Sequence, residues 1–374
     1  MHTDFSLDEW QRYQRQIQLA DIGVQGQKAL KQARVAIVGV GGLGCPVSMY
    51  LAAAGVGEIV LIDHDIVSET NLQRQLLYRD KDVGCSKVNV ASAVLRDLNP
   101  HITIRAMNKA FSSQLPLADL DVDLILDCTD NYSTRSDINT WARNHKRDWL
   151  FASVHQFSGQ LCLFRYQDAC YHCLFPLAPS EAMDCNGAGV IGSVPGAVGL
   201  LQAQQAIQYL IGSAVACDNT LVSVNLQTLT TQKMRLRRDP HCGLHDAKIE
   251  PAKPIAPCDS EEVADSSLSP PIFMHKLLNE ENIVLVDARS RSEHQAFHIG
   301  GRVIEEDEVH VKQLHRTPDT QFFVYCQSGQ RSERMVSALK ARGFSQVYQL
   351  SGGLAAILPI LAEDSLRELR AKFS

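Results

Sequence analysis

A glycine-rich run with an acidic residue downstream is the first feature of this sequence that could support chemistry. Residues 39–44 have the pattern G-x-G-x-x-G, and Asp63 follows about twenty residues later. Such glycines permit a tight turn and let backbone N–H groups approach a phosphate at a helix N-terminus. The carboxylate can accept hydrogen bonds from a ribose. Taken alone, this pattern favours a nicotinamide-dependent dehydrogenase.

The residues that follow favour ATP instead. Arg74 and Lys87 supply cations for a triphosphate, and Asp130, within residues 127–131, supplies a carboxylate for Mg²⁺. A dehydrogenase that binds an uncharged nicotinamide ring has no need for these charges. We therefore predict a site for ATP and Mg²⁺.

Residues 7–245 resemble the ubiquitin-activating-like superfamily, specifically its bacterial molybdopterin-synthase and thiamine-synthesis adenylyltransferases. The resemblance rests on residues 12–16, 39–44, 63–75, 87, 127–131 and 189–196. It implies contacts to ATP or its metal from Gly42, Asp63, Thr70, Asn71, Arg74, Lys87, Asp130 and Asn131. It also implies a homodimer in which Arg15 reaches the nucleotide of the partner subunit. Taken singly, Arg15 could be a solvated helix residue and Lys87 an ordinary surface residue, so the prediction depends on their joint order.

The reaction that this resemblance implies is adenylation of a small ubiquitin-like sulfur-carrier protein. The carboxylate of the carrier's C-terminal Gly-Gly attacks the α-phosphorus of ATP, and pyrophosphate leaves. In this step the protein contributes positioning and charge neutralisation, with Arg74 and Asp130 as the expected catalytic groups.

Two pairs of closely spaced cysteines and histidines predict a structural zinc site. Cys170 and Cys173 form a C-x-x-C pair, and Cys242 and His245 form a second pair far downstream. Relatives normally have cysteine at all four positions, but zinc also accepts a Cys₃His ligand set. The alternatives are a site completed by His241 and a loop without metal. A redox-active C-x-x-C is less consistent with the sequence, because no thioredoxin-like helix follows it.

Cys185 occupies the position at which relatives carry a crossover-loop cysteine implicated in thioester or acyl-persulfide handling. The alternative is an incidental loop cysteine. Five other cysteines lie in apolar or strand contexts, and we expect them to be packing residues: Cys45, Cys85, Cys128, Cys162 and Cys217.

A second reactive segment surrounds Cys326. Residues 322–325 predict a strand and residues 332–341 a helix, so Cys326 should lie in a loop whose N–H groups converge on its sulfur. That environment stabilises a persulfide anion, and Arg331 adds positive charge. Related phosphatases place five residues between cysteine and arginine, whereas here there are four, residues 327–330, which suits sulfur better than phosphate.

Residues 271–361 resemble a single-domain rhodanese, a sulfurtransferase. The resemblance rests on residues 284–289, Glu293, residues 298–301, 325–332 and 351–353. A catalytically dead regulatory module is the rival, but such modules usually lack the cysteine. The expected sulfur donor is a cysteine desulfurase or thiosulfate.

These sites require two α/β domains. Strands at residues 34–38 and 58–62 flank a helix that ends near Ala54, which predicts a doubly wound, Rossmann-like adenylating domain over residues 1–246. A helix over residues 196–211 should be buried. Residues 247–270 have the Pro, Asp, Glu and Ser composition of a linker, and residues 271–374 should form a small α/β rhodanese domain.

Composition excludes other classes. The formal net charge of −6 argues against nucleic-acid binding. The acidic, polar N-terminus lacks the profile of a signal peptide, and no apolar run is long enough for a membrane span, so we expect a cytoplasmic protein. Molybdopterin synthesis is the first expectation for the pathway and thiamine synthesis the second. A dinucleotide-dependent oxidoreductase and a non-catalytic scaffold that recruits a carrier remain as alternatives.

Overall fold

The computed structural model describes residues 5–175, 189–245, 266–304 and 320–373. The chain divides into two compact units, Met1–Lys253 and Pro254–Ser374. Each unit is built around its own sheet.

The first unit contains a sheet of eight strands in its described part. These are β1 (Arg34–Val38), β2 (Glu58–Ile62), β3 (Thr103–Met107), β4 (Leu124–Asp127), β5 (Asp148–His155), β6 (Ser158–Phe164), β7 (Thr220–Asn225) and β8 (Thr230–Arg235). The order is β3-β2-β1-β4-β5-β6-β7-β8; the first five strands are parallel and the remaining pairings are antiparallel. The helices are α1 (Leu7–Ile17), α2 (Gly23–Gln32), α3 (Gly44–Ala54), α4 (Lys87–Leu98), α5 (Tyr132–Asn144), α6 (Tyr171–Leu174) and α7 (Ser193–Leu210).

Strand β1 shows why the centre of this sheet forms. Its apolar residues alternate between two cores: Val35 and Ile37 pack on one side, while Ala36 and Val38 pack on the other. A strand buried on both faces is typical of a parallel sheet covered by helices. The predicted strand–glycine loop–helix–strand unit is confirmed, and strand order reverses between β1 and β4, where doubly wound folds bind nucleotides.

Helix α7 differs from the prediction of a buried helix. It packs through residues such as Val198, Ala203 and Ala206, whereas Leu200 and Leu201 are exposed. Its apolar composition suggested burial on all sides, but the described part of the chain covers only one face of the helix.

The second unit contains a five-stranded parallel sheet in its described part. The strands are β9 (Ser267–Leu268), β10 (Ile283–Asp287), β11 (Arg302–Val303), β12 (Gln321–Tyr325) and β13 (Val347–Leu350), in the order β11-β10-β12-β13-β9. The helices are α8 (Pro270–Asn279), α9 (Arg291–Ala296), α10 (Gln330–Ala341), α11 (Gly353–Ile357) and α12 (Glu363–Lys372).

The described second unit begins before the boundary expected at residue 271. Strand β9 pairs with β13, and Pro270 and Pro271 open α8. Proline is well suited to the first helical turn, because the N–H that it lacks has no partner within the helix there. The prolines therefore mark a helix start here; residues 246–265 of the predicted linker lie outside the described residues.

Within the described part of the chain, no helix is both long enough and apolar enough to cross a membrane.

Gly57 lies where α2 meets β2, and it offers a test of this packing. A Cβ there would lie 1.9 Å from the backbone oxygen of Lys31. We expect Gly57→Ala to destabilise the first unit by about 2 kcal/mol, because a well-packed region must shift to admit the methyl group. The measurement is urea unfolding followed by tryptophan fluorescence, since all three tryptophans, Trp10, Trp141 and Trp149, belong to the first unit.

The matched control is Gly196→Ala in α7, where an added Cβ meets nothing within 4 Å. This change should be neutral or slightly stabilising, because alanine favours helix over glycine. Equal stability of the two variants would contradict the packing described for Gly57.

Candidate functional site

A cavity of about 420 Å³ opens at the carboxyl ends of β1, β2 and β4. This cavity, which we call the nucleotide pocket after the prediction, is lined by six of the residues predicted to bind ATP or its metal: Gly42, Asp63, Arg74, Lys87, Asp130 and Asn131. Thr70 and Asn71 are not among its lining residues, but Arg74 Nη1 donates to the Thr70 carbonyl oxygen at 3.0 Å. Arg15 lies on α1, is exposed, and does not line this pocket.

The glycine loop is held close to neighbouring backbone. A Cβ on Gly44 would lie 2.0 Å from the Gly39 carbonyl oxygen, so no side chain fits there. Asp63 ties this loop to the end of β2, because its carboxylate accepts hydrogen bonds from the N–H groups of Val40, at 2.7 Å, and Asp65, at 2.8 Å. Asp63, the residue predicted to contact a ribose, therefore orders the glycine loop.

Lys87 is a buried cation in the pocket wall. Its side chain is 7% exposed, and Nζ lies 2.9 Å from Asp65 Oδ2, which is on a side chain that is 54% exposed. A buried ammonium is stable only with a partner. Asp65 supplies that partner while leaving Lys87 in the pocket lining, where it can meet a phosphate.

Asp127 organises the loop that carries Asp130. Its carboxylate is completely buried and accepts hydrogen bonds from Thr129 N at 2.9 Å, Thr129 Oγ1 at 2.6 Å and Arg135 Nε at 3.3 Å. Burial raises the pKa of Asp127, and the Arg135 guanidinium opposes that rise. The pair therefore fixes the turn that brings Asp130 to the pocket.

Arg135, which was not among the predicted residues, lines the pocket from the first turn of α5. A signal was present, because a cation in the first helical turn opposes the helix dipole and suggests a specific acidic partner. Lys109 and Phe111, which also line the pocket, were missed as well. They follow β3, and the carboxyl ends of parallel strands meet at one edge of a sheet.

Gln202 of α7 forms hydrogen bonds at the start of the loop that carries Asp130. It is completely buried, and its Nε2 donates to the carbonyl oxygens of Asp127, at 2.8 Å, and Leu150, at 3.0 Å. Its Oε1 accepts a hydrogen bond from Cys128 Sγ at 3.4 Å. Gln202 therefore satisfies polar groups on β4, on β5 and on the first residue of the pocket loop.

The two cysteine and histidine pairs converge. The ligand atoms of Cys170, Cys173, Cys242 and His245 all lie within 4.8 Å of one another, and we call these four residues the Cys–His knuckle. Cys170 Sγ is 3.8 Å from Cys173 Sγ and 3.7 Å from Cys242 Sγ. Zinc–sulfur bonds of about 2.3 Å at tetrahedral angles give sulfur–sulfur separations of about 3.8 Å. The donor set and its spacing fit zinc.

Two other histidines lie near the knuckle without joining it. His241 is exposed and is not part of the cluster. The ring of His172, between the two cysteines of the first pair, is engaged by Asn139 at 3.0 Å and Ser136 at 3.3 Å. Of the three histidines, His245 is therefore the one that lies within the cluster of possible ligand atoms.

Most of the cysteines expected to be packing residues are buried. Burial raises the pKa of Cys45 to about 12 and of Cys217 to about 11, and it also raises the pKa values of Cys128 and Cys162. The prediction was wrong for Cys85, which is exposed. Cys185 lies outside the described residues.

Cys326 directly follows β12 and begins a segment, residues 326–332, that comprises a loop and the first turn of α10; we call this segment the Cys326 loop. Its Sγ accepts hydrogen bonds from the N–H groups of Gly329, at 3.2 Å, and Ser332, at 3.3 Å. The predicted convergence of N–H groups on this sulfur is confirmed. Gly353 closes the other side, because a Cβ there would lie 2.6 Å from the Cys326 carbonyl oxygen.

Arg331 does not stand alone beside this loop. Its Nη1 donates to Oε2 of Glu293 on α9, and its Nη2 donates to Oε1, each at 2.8 Å. This ion pair lowers the pKa of Glu293 to about 2 and raises the pKa of Arg331. The positive charge predicted at the rim is therefore offset by a carboxylate.

Gln202 offers a test of the nucleotide pocket. We expect Gln202→Leu to weaken ATP binding by about tenfold, because it removes the donor that Asp127 O and Leu150 O share and frees the loop that carries Asp130. Binding is measured by calorimetric titration. The control is Gln205→Leu on the same helix, since Gln205 accepts from Ala216 N at 2.7 Å, in the segment that leads to β7. Equal losses in both folded variants would contradict a specific role for Gln202.

Comparison with known proteins agrees with this geometry. The family model described as the ThiF family matches residues 13–244, and the rhodanese-like domain matches residues 273–358. The chain is 41% identical over 243 residues to the molybdopterin-synthase adenylyltransferase of Escherichia coli K12, covering 64% of this chain and 98% of that one. It is 32% identical over 367 residues to the probable adenylyltransferase/sulfurtransferase MoeZ of Mycobacterium tuberculosis H37Rv, covering 94% and 93%.

Among solved structures, that of E. coli MccB with MccA-N7isoASN is similar, with a TM-score of 0.54 and 25% identity over 63% of this chain and 74% of that one. The predicted α/β, Rossmann-like fold and the rhodanese domain are confirmed. The chain belongs to the ThiF family and joins its ThiF domain to a rhodanese-like domain, as an adenylyltransferase and sulfurtransferase.

Proposed function

We propose that this enzyme adenylates the C-terminal glycine of a small ubiquitin-like sulfur carrier and then converts that carboxylate to a thiocarboxylate. The observation that carries the proposal is the nucleotide pocket, in which Arg74, Lys87 and Asp130 surround a cavity at the β1–β4 switch point. The Cys326 loop supplies the second activity within the same chain.

In the first step the carrier carboxylate attacks the α-phosphorus of ATP, and pyrophosphate leaves. Arg74 and Lys87 neutralise phosphate charge, while Asp63 binds the ribose. Asp130 and Asn131 would hold Mg²⁺, which lowers the charge of the leaving pyrophosphate. The product is an acyl-adenylate, an electrophile suited to a sulfur nucleophile.

In the second step the persulfide of Cys326 attacks the acyl carbon and AMP leaves. The resulting acyl disulfide is cleaved when a second thiol attacks the sulfur of Cys326, which releases the carrier thiocarboxylate and leaves a protein disulfide. Cys185 is our candidate for that thiol, and a dithiol reductant must then reduce the protein disulfide to restore both thiols. Backbone N–H groups and the α10 N-terminus favour the anionic persulfide.

The carrier of a molybdopterin synthase is our first candidate for the substrate, supported by the relatives named above. A thiamine-synthesis carrier is the second. We also propose a homodimer in which Arg15 contacts the partner's nucleotide, since Arg15 is exposed and lies away from the pocket of its own subunit.

For the Cys–His knuckle we propose a structural zinc ion held by Cys170, Cys173, Cys242 and His245. The sulfur–sulfur distances of 3.7 and 3.8 Å support this assignment. Bound zinc would cross-link the β6–α6 segment to the segment after β8, and no step of the reaction passes through it.

Two substitutions separate the two activities. Lys87→Met should lower carrier-dependent ATP–pyrophosphate exchange by about a hundredfold, because a buried cation is lost from the phosphate site. Cys326→Ala should leave that exchange intact and abolish thiocarboxylate formation, which mass spectrometry of the carrier detects. The carrier used is a molybdopterin-synthase small subunit ending in Gly-Gly, with a thiamine-type carrier in parallel.

The matched controls are Lys81→Met and Cys85→Ala, since both residues are exposed and neither lines the pocket. Both variants should retain both activities. Nicotinamide-dinucleotide binding without exchange would favour the oxidoreductase alternative, and carrier binding without pyrophosphate release would favour a scaffold. Normal thiocarboxylate yield from Cys326→Ala would overturn the sulfur-transfer scheme.

His245 provides the test of the zinc proposal. His245→Ala should lower zinc affinity by more than about tenfold, because one of the four ligands is lost. His245→Cys should retain zinc, and in the cobalt-substituted protein it should shift the d–d absorption to longer wavelength. His241→Ala is the control and should behave as the wild type. Loss of metal from His241→Ala, with retention in His245→Ala, would reassign the ligand.

A further inference from the structure

The Cys326 loop carries little positive charge for a loop that must bind an anionic sulfur donor. Between Cys326 and Ser332 its sequence contains one charged residue, Arg331. Nη1 and Nη2 of Arg331 each lie 2.8 Å from one carboxylate oxygen of Glu293. The positive charge of Arg331 is therefore paired with the carboxylate of Glu293.

Glu293 is fixed in place independently of Arg331. It stands at the third position of α9, where its Oε2 accepts hydrogen bonds from Ser290 N, at 3.0 Å, and Ser290 Oγ, at 2.9 Å. Its own N–H donates to Ser290 Oγ at 3.3 Å, which completes a capping box. Because its pKa is lowered to about 2, this carboxylate stays charged throughout the neutral range.

Because Glu293 neutralises the charge of Arg331, the Cys326 loop should bind two classes of sulfur donor with different affinities. Thiosulfate is a dianion, so it requires unpaired cations to compensate its desolvation. A cysteine persulfide presents a single sulfur anion or a neutral S–H, which the N–H groups of Gly329 and Ser332 can accommodate without a free guanidinium. A carboxylate beside the loop repels the first donor more strongly than the second.

We propose that Glu293 is a specificity-determining residue that makes the Cys326 site select a persulfide donor over thiosulfate. This inference rests on the proposed function of Cys326 as the sulfur carrier. In the selected reaction the Cys326 thiolate attacks the outer sulfur of R–S–SH and a new S–S bond forms. The donor S–S bond breaks and R–S⁻ leaves, taking the proton, so no external oxidant is needed.

Glu293→Gln tests this assignment by a gain of activity. A glutamine at the third helical position still completes a capping box, so the fold of α9 should persist. The charge of Arg331 would no longer be offset. We expect kcat/KM for thiosulfate to rise by about tenfold, the effect of one added charge-assisted contact. We expect kcat/KM for the persulfide of N-acetylcysteine amide, which can carry charge only on its sulfur, to stay within about twofold, since the change adds attraction mainly for the dianion.

Three further proteins serve as comparisons. Glu280→Gln removes a carboxylate that pairs with Lys276 at 2.8 Å. Glu280 lies just before β10, at the amino-terminal end of the parallel strands, whereas Cys326 lies at their carboxyl end. This substitution should change neither rate. Glu293→Gln combined with Arg331→Gln should lose the gain. Gln327→Lys adds a cation at an exposed loop position without altering Glu293, and it should also raise the thiosulfate rate.

The readout is the persulfide on the Cys326 peptide, measured by mass spectrometry in single turnovers of the full chain. An unchanged or lower thiosulfate rate in a Glu293→Gln variant that still accepts sulfur from the persulfide donor would overturn the proposal, as would an equal rise for both donors. Failure of Cys326 to accept sulfur from either donor would instead contradict its proposed function. Carrier-dependent ATP–pyrophosphate exchange should be unchanged in every variant, which verifies folding of the first unit.

Discussion

A buried aspartate paired with an arginine stands at the end of a parallel strand in each unit, near the candidate site of that unit. Asp127 ends β4 and binds Arg135; Asp287 ends β10 and binds Arg289 at 2.8 Å. Both carboxylates are completely buried. A buried charge is stable only with its partner and with satisfied hydrogen bonds, so each pair restricts the adjoining loop to one conformation. In the first unit that loop carries Asp130, and in the second the pair lies one strand away from Cys326.

The two sites differ in how the cation of each is paired with a carboxylate. In the nucleotide pocket the partner of Lys87 is Asp65, whose side chain is more than half exposed, so an incoming phosphate can compete for the ammonium group. In the rhodanese-like unit the partner of Arg331 is Glu293, which Ser290 holds from behind. The first arrangement suits a highly charged nucleotide, and the second suits a single sulfur atom.

Helix α5 connects the nucleotide pocket with the Cys–His knuckle. Asn131 caps its N-terminus, where its side chain accepts a hydrogen bond from Thr134 N. In the middle of the helix Asn139 holds the backbone N–H of Tyr171 and the ring of His172. In the last turn Arg143 donates to the carbonyl oxygen of Leu244, beside His245, at 3.0 Å. One rigid element thus carries the loop that lines the pocket and supports both halves of the knuckle.

The sequence by itself determined the features that depend on local chemistry. The glycine loop with Asp63, the strand–loop–helix around Cys326 and the spacing of each ligand pair follow from residue types a few positions apart, because turn geometry and helix N-termini are local properties. Tertiary structure alone decided the contacts between distant segments. Cys170 meets Cys242 across 72 residues, Gln202 reaches Asp127 across 75, and Glu293 pairs with Arg331 across 38. Strand order and helix packing set these distances, and neither can be read from spacing along the chain.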